Sequence, residues 1–163
     1  MSMLHGPRPG TAASAERPAW SEPRATYKGR FYELNDAIAE PKPVQRPHPP
    51  IWIGSKGDRM LRLTARHADV WHSNAATFEE GVALSKALDA ACTKAGRDPS
   101  AVRRSISMRL TSPEETLQKA KATIAAGFTE ILVMIGGGNV PAGDPRKRAE
   151  EAAALLPRLR ALG

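Results

Sequence analysis

One stretch constrains this chain more than any other: Pro49-Pro50-Ile51-Trp52-Ile53-Gly54-Ser55-Lys56-Gly57-Asp58-Arg59. Ile51, Trp52 and Ile53 are β-branched or aromatic, which suits a strand buried on both faces. Gly54, Ser55 and Gly57 follow at its carboxyl end. From Asp58 the positions Met60, Leu61, Thr64, Ala65 and Ala68 recur at helical spacing. A strand, a small-residue turn and a helix start leave backbone N–H groups without intrahelical partners. Such a turn has two readings, an amide cradle for an anion such as phosphate or a tight connection with no ligand.

Taken in order, residues 1–25 are rich in Pro, Gly, Ala and Arg without an apolar period, and read as a disordered or loosely held arm. Residues 26–49 form a connector: a hairpin-like Tyr27 to Leu34, then a proline-rich run that excludes helix and central strand. Residues 50–163 alternate strand and helix. A second strand spans Ala68 to Asn74, and Thr77 with Glu80 forms a capping box for a helix closing near Gly96. Arg103 to Leu110 is a third strand, and Ser112-Pro113-Glu114-Glu115 opens a helix that Gly127 ends. Thr129 to Ile135 is a fourth strand, stopped by Gly136-Gly137-Gly138-Asn139, and a last helix runs from about Asp144, bent at Pro157. Four strand–helix repeats predict a parallel sheet with right-handed crossovers. Ligands collect at the carboxyl ends of such strands. Those ends are Gly54-Ser55, His72-Ser73-Asn74, Arg109-Thr111 and the glycine run.

Other classes find little support. The net charge of +7 is dispersed and mixed with acids, so no nucleic-acid partner is expected. No run of about 18 apolar residues offers a membrane span, and the N-terminus lacks a secretory apolar core. With the single Cys92, this predicts a cytoplasmic chain. His5, His48, His67 and His72 lie far apart, so no metal site is predicted. Cys92 falls on a helix face as a core residue. His72 closes a strand beside Trp71 as a ligand contact or as rim packing. Gly136 and Gly137 allow close backbone approach to a ligand or make a loose loop. Arg109 is placed to pair with an anionic ligand or a neighbouring carboxylate.

Several segments together resemble the luciferase-like monooxygenase family of flavin- or deazaflavin-dependent (β/α)8 enzymes. They are Tyr27 to Leu34, Pro41-Lys42-Pro43-Val44-Gln45, Pro49 to Gly54, Leu61 to Trp71, Ala95-Gly96-Arg97-Asp98-Pro99, Ser112 to Glu115, and Ala126 to Glu130. The resemblance implies an α/β fold, the C-terminal half (strands 5–8) of a TIM-type barrel, incomplete on its own. It implies an oxidoreductase or monooxygenase that transfers hydride or activates oxygen at bound F420 or FMN, with the F420 branch preferred. The phosphate contacts of that family map onto Gly54, Ser55 and Gly57, with Lys56 beside them in the expected cofactor site. His72, Asn74, Gly136 and Gly137 complete the expected cofactor rim, and no catalytic residue is assigned. The family commonly has Gly at the positions of Ser55 and Val70; a serine keeps its N–H and adds a hydroxyl.

A full barrel of this type takes about 250 residues. Four βα units leave two strand edges unpaired. The expected partners are therefore a second copy in a homodimer or an N-terminal half-barrel, besides the cofactor and a small organic substrate. The competing expectation is a non-catalytic truncated βα module that binds a phosphorylated ligand or completes a barrel with another chain.

Overall fold

In the computed structural model, residues 12–136 and 144–162 are described, residues 12–16 as backbone only. They divide into a unit ending at Ile51 and a unit beginning at Trp52.

The first unit contains helix α1 (Ala12–Ser21) and strands β1 (Ala25–Lys28) and β2 (Glu33–Ala37), paired antiparallel with a bulge between Ala25 and Tyr27. Helix α1 lies where the sequence shows no apolar period. It is tied down by side chains rather than by a periodic stripe: Lys42 Nζ donates to the Ala19 carbonyl at 3.1 Å, and the Trp20 and His48 rings sit 6.1 Å apart. Asp36 supports the hairpin in a left-handed conformation (φ 50°), its N–H donating to Thr26 Oγ1 and its carboxylate pairing with Arg24.

The second unit is built as β3 (Trp52–Ser55), α2 (Asp58–His67), β4 (Val70–Ser73), α3 (Phe78–Lys94), β5 (Arg103–Arg109), α4 (Pro113–Ala125), β6 (Glu130–Met134) and α5 (Pro145–Arg160). All four strands are parallel, in the order β3-β4-β5-β6. Sequence order and spatial order coincide without a reversal. With right-handed crossovers, a sheet that always advances the same way collects its helices on one face.

Burial agrees with that inference. Trp71 and Ile106 point to the helix side and pack with Leu61, Ala65, Leu88, Cys92, Val102 and Phe128 in one core. The Trp71 and Phe128 rings stack at 6.3 Å. A second cluster of Leu110, Leu117 and Leu155 joins α4 and α5, with Val133 of β6 against it. An apolar cavity of about 570 Å3 remains between α4, β6 and α5, lined by Ile124, Phe128, Ile131, Val133, Leu156 and Leu159.

The register puts Trp52, Gly54, Val70, His72, Ser105, Ser107, Leu132 and Met134 on the opposite face, away from the helix-side core among the described residues of this unit. Trp52 is 47% exposed, Leu132 40% and Met134 44%. This corrects the expectation that Ile51–Ile53 is buried on both faces. The strand starts at Trp52, lies at the sheet edge, and alternates because only one of its sides meets helices.

Local signals set the helix ends. Thr77 Oγ1 accepts from the Glu80 N–H at 3.2 Å, and the Glu80 carboxylate reaches back to the backbone N–H groups of Ala76 and Thr77. Ser112 caps α4 by accepting from the Glu115 N–H at 3.3 Å, with Pro113 at the first helical position. Gly127 (φ +88°) closes α4, and Gly96 (φ +71°) follows α3. Helix α5 continues through Pro157 to Arg160.

Candidate functional site

Three strand ends place the sequence-predicted residues. Gly54, on β3, is in register with His72 on β4. A methyl group built on Gly54 would meet the Asn74 side chain at 3.1 Å (Nδ2) and 3.3 Å (Oδ1), so the Asn74 amide lies over this glycine. Gly54, His72 and Asn74 therefore form one cluster.

Ser55 is 3% exposed, and its hydroxyl lies 3.0 Å from Thr64 Oγ1. Thr64 spends its own hydrogen on the Met60 carbonyl at 2.9 Å. Ser55 must therefore be the donor in that pair, because a hydroxyl carries one hydrogen. The expected extra hydroxyl contact to a ligand is thus committed to pinning α2 onto β3. The Ser55 carbonyl accepts from the Trp71 indole N–H at 3.0 Å, which fixes the end of the strand from below.

Beyond Ser55 the turn opens. Gly57 is the N-cap of α2, in an extended conformation (φ −87°, ψ 149°), with no side-chain capping bond. A methyl group on Gly57 would meet nothing within 4 Å. The first turn of α2 is thus exposed and has no side-chain cap at its start. Charges around this turn are mixed: Asp58 lies in the first turn, and Lys56 and Arg59 flank it. Lys56 Nζ sits 3.7 Å from Glu80 Oε1, both half-exposed. The Glu80 carboxyl is held below its usual range, first by the Ala76 N–H and further by the Lys56 charge.

His72 is held on both sides. Its Nδ1 lies 3.0 Å from Ser105 Oγ, and its Nε2 lies 3.3 Å from Ser107 Oγ. Both serines come from β5 and were not among the residues singled out from the sequence. The signal was the alternation Arg103-x-Ser105-x-Ser107-x-Arg109, a polar stripe along one face of an interior strand. Arg109 is exposed at the end of that stripe. Gly136 has open space around it. Gly137 lies outside the described residues. Arg104, at the opposite end of β5, is a structural residue: it donates to the Pro99 carbonyl at 2.8 Å and pairs with Asp89. Among the described residues no His, Cys, Asp and Glu group could hold a metal ion.

The sequence profile of the luciferase-like monooxygenases matches residues 13–161. The chain belongs to the luciferase-like monooxygenase family. It is 27% identical over 106 residues to an FMNH2-dependent dimethylsulfone monooxygenase of Pseudomonas putida, covering 65% of this chain and 28% of that protein. It is 35% identical over 80 residues to an F420-dependent glucose-6-phosphate dehydrogenase of Microbacterium testaceum, covering 48% of this chain and 23% of that one. The chain thus spans about a quarter of the length of these curated relatives. Among solved structures, a coenzyme F420 dependent tetrahydromethanopterin reductase from Methanopyrus kandleri superposes with a TM-score of 0.65 at 13% identity, over 89% of this chain and 61% of that one. The fold is a partial (β/α)8 barrel, so the singly wound sheet of this family member is a barrel wall and its helix-free face looks toward the barrel interior.

Proposed function

We propose that this chain is the cofactor-gripping half of a flavin- or F420-dependent oxidoreductase, equivalent to barrel strands 5–8. The observation that carries the proposal is the uncapped start of α2 at Gly57, open to solvent at the carboxyl end of β3. Relatives named for FMNH2 and for F420 both support a cofactor with a phosphate-bearing tail.

In this reading the first-turn amides of α2 hold the phosphate, and Lys56 and Arg59 offset the Asp58 charge. Gly54, with no side chain, makes room for the Asn74 amide at the strand end, where that amide offers a donor and an acceptor to the cofactor. His72 and the serines beside it present polar groups to whatever lies on the open face. Gly136, just after β6, adds an open position at the rim. The cofactor, when bound, supplies hydride transfer or oxygen activation, and the protein supplies anchoring, orientation and exclusion of water. F420 is preferred over FMN on the proline-led entry and the Trp52-Ile53-Gly54 strand, and the cytoplasm is the proposed compartment.

Closure of the barrel falls to a second copy or to an N-terminal half-barrel. Unpaired edges at β3 and β6, and the exposed Trp52, Leu132 and Met134, support this requirement. The deciding experiment is equilibrium binding of FMN and of F420 to the purified chain, alone and with the N-terminal half of a relative. Saturable binding of either cofactor supports the reading. Failure of both, in both settings, overturns it in favour of the second reading, a βα module without cofactor that completes a barrel with a partner chain.

A further inference from the structure

The open sheet face carries a polar column in a place where barrel walls are usually filled by Val, Ile and Leu. Ser105 sits at its centre, 0% exposed, and His72 Nδ1 at 3.0 Å is its hydroxyl's partner among the described residues. Among the described residues the acceptor for its hydrogen is the imidazole nitrogen. Were Nδ1 to carry the ring proton instead, the Ser105 O–H would be a buried donor without an acceptor, which costs free energy. The ring proton therefore belongs on Nε2, where it donates to Ser107 Oγ at 3.3 Å. Ser107 is exposed, so its own hydrogen is left to point outward from the face.

We propose that Ser105, His72 and Ser107 form a directional hydrogen-bond chain that presents the Ser107 hydroxyl as a donor to a carbonyl or carboxylate oxygen of a bound organic substrate. This rests on the reading above that the helix-free face is the substrate side. The direction matters because each donor in such a chain polarises the next. Ser105 is then a positioning residue, Ser107 the ligand contact, and His72 the hydrogen-bonding link between them.

The charges on this face select the ligand's sign. Strand β3 contributes none, Trp52 and Gly54 being its residues there, and β4 contributes Val70 and His72. Arg103 of β5 is paired with Glu130 of β6 at 2.5 Å. Arg109 remains, two residues beyond Ser107 on the same strand face, about 7 Å along β5. The long Arg109 side chain can cover most of that spacing, so a compound with a carbonyl beside a carboxylate suits the pair, its carbonyl at Ser107 and its carboxylate toward Arg109.

The test uses nitrogen-15 histidine spectra of the purified chain, recorded where the spectra themselves show a neutral ring. The expected result is a His72 ring with its proton on Nε2 and a bare Nδ1, a preference that Ser105→Ala weakens. Pyruvate is the probe. It should shift the His72 ring signals saturably, Ser107→Ala should weaken that response at least tenfold, and Ser107→Thr should restore it. A wild-type ring protonated on Nδ1, no pyruvate response, or an unchanged response in Ser107→Ala each overturns the inference. Loss of cofactor binding with these results intact would fault the proposed function instead, so the two failures are distinguishable.

Discussion

Replacing Trp71 by Phe isolates the bond that fixes the end of β3. Trp71 is fully buried, its rings stack on Phe128, and its indole N–H donates to the Ser55 carbonyl at 3.0 Å. Phenylalanine keeps a six-membered ring against Phe128 and removes the donor. Leaving the carbonyl of the 3% exposed Ser55 one partner short costs about 1–2 kcal/mol. The apolar surface lost from indole to phenyl adds about 1 kcal/mol. The sum is about 2–3 kcal/mol. For a chain of 163 residues, each kcal/mol moves the melting temperature by about 2–4 °C, so Trp71→Phe should lower it by about 5–10 °C. Thermal unfolding followed by circular dichroism measures this directly. A loss under about 2 °C would mean that the Ser55 carbonyl does not depend on the indole, and that the strand end is held by something else.

Gly57→Ala should cost no more than about 1 kcal/mol, since its backbone is extended and the added methyl meets nothing within 4 Å, while Ala is a poorer N-cap than Gly; reduced FMN or F420 affinity with a cooperative, slightly lowered melting curve is the expected pair of results. Gly127→Ala should instead cost about 1–2 kcal/mol in a denaturant titration, because φ is +88° although space is open there. Burial pushes the Cys92 thiol up, so a thiol reagent should label it slowly in the native protein and rapidly once denatured. Glu80, Glu115 and Asp98 are all held below their usual values, Glu80 first by the Ala76 N–H, Glu115 by Lys119 and Asp98 by Ser100. Groups with depressed folded values stabilise the fold above their unfolded values, and that contribution is lost as pH falls. Denaturation midpoints should therefore hold steady above the ordinary carboxylate range and decline below it, and a midpoint that rises on acidification would refute the assignment.

The strand–helix alternation was legible because each element carries its own signal. Thr77 and Ser112 cap helices where small hydroxyls precede acids, and Gly96 and Gly127 mark the left-handed ends. The strand order followed from the repeat itself, since right-handed crossovers admit few alternatives. Three things were not legible. Helix α1 is held by Lys42 and Trp20, contacts that leave no period in the sequence. Trp52 read as core, because a strand's residue types do not tell an edge with one open face from a buried centre. Ser55 read as a rim hydroxyl, although Thr64, nine residues on, accepts its hydrogen. Within the site, Gly54, His72 and Asn74 were recognised singly. Their meeting, and the addition of Ser105 and Ser107 to His72, depends on parallel register, which local pattern does not encode.

The proposed cofactor role of this chain depends on the first turn of α2 gripping a phosphate. An amide-resolved nitrogen-15 titration of the chain with F420, FMN and inorganic phosphate tests this most directly. The Gly57, Asp58, Arg59 and Met60 amides should shift together, with the same saturation curve for a given ligand, and should move least for phosphate alone. Bound cofactor with those four amides unmoved would contradict it.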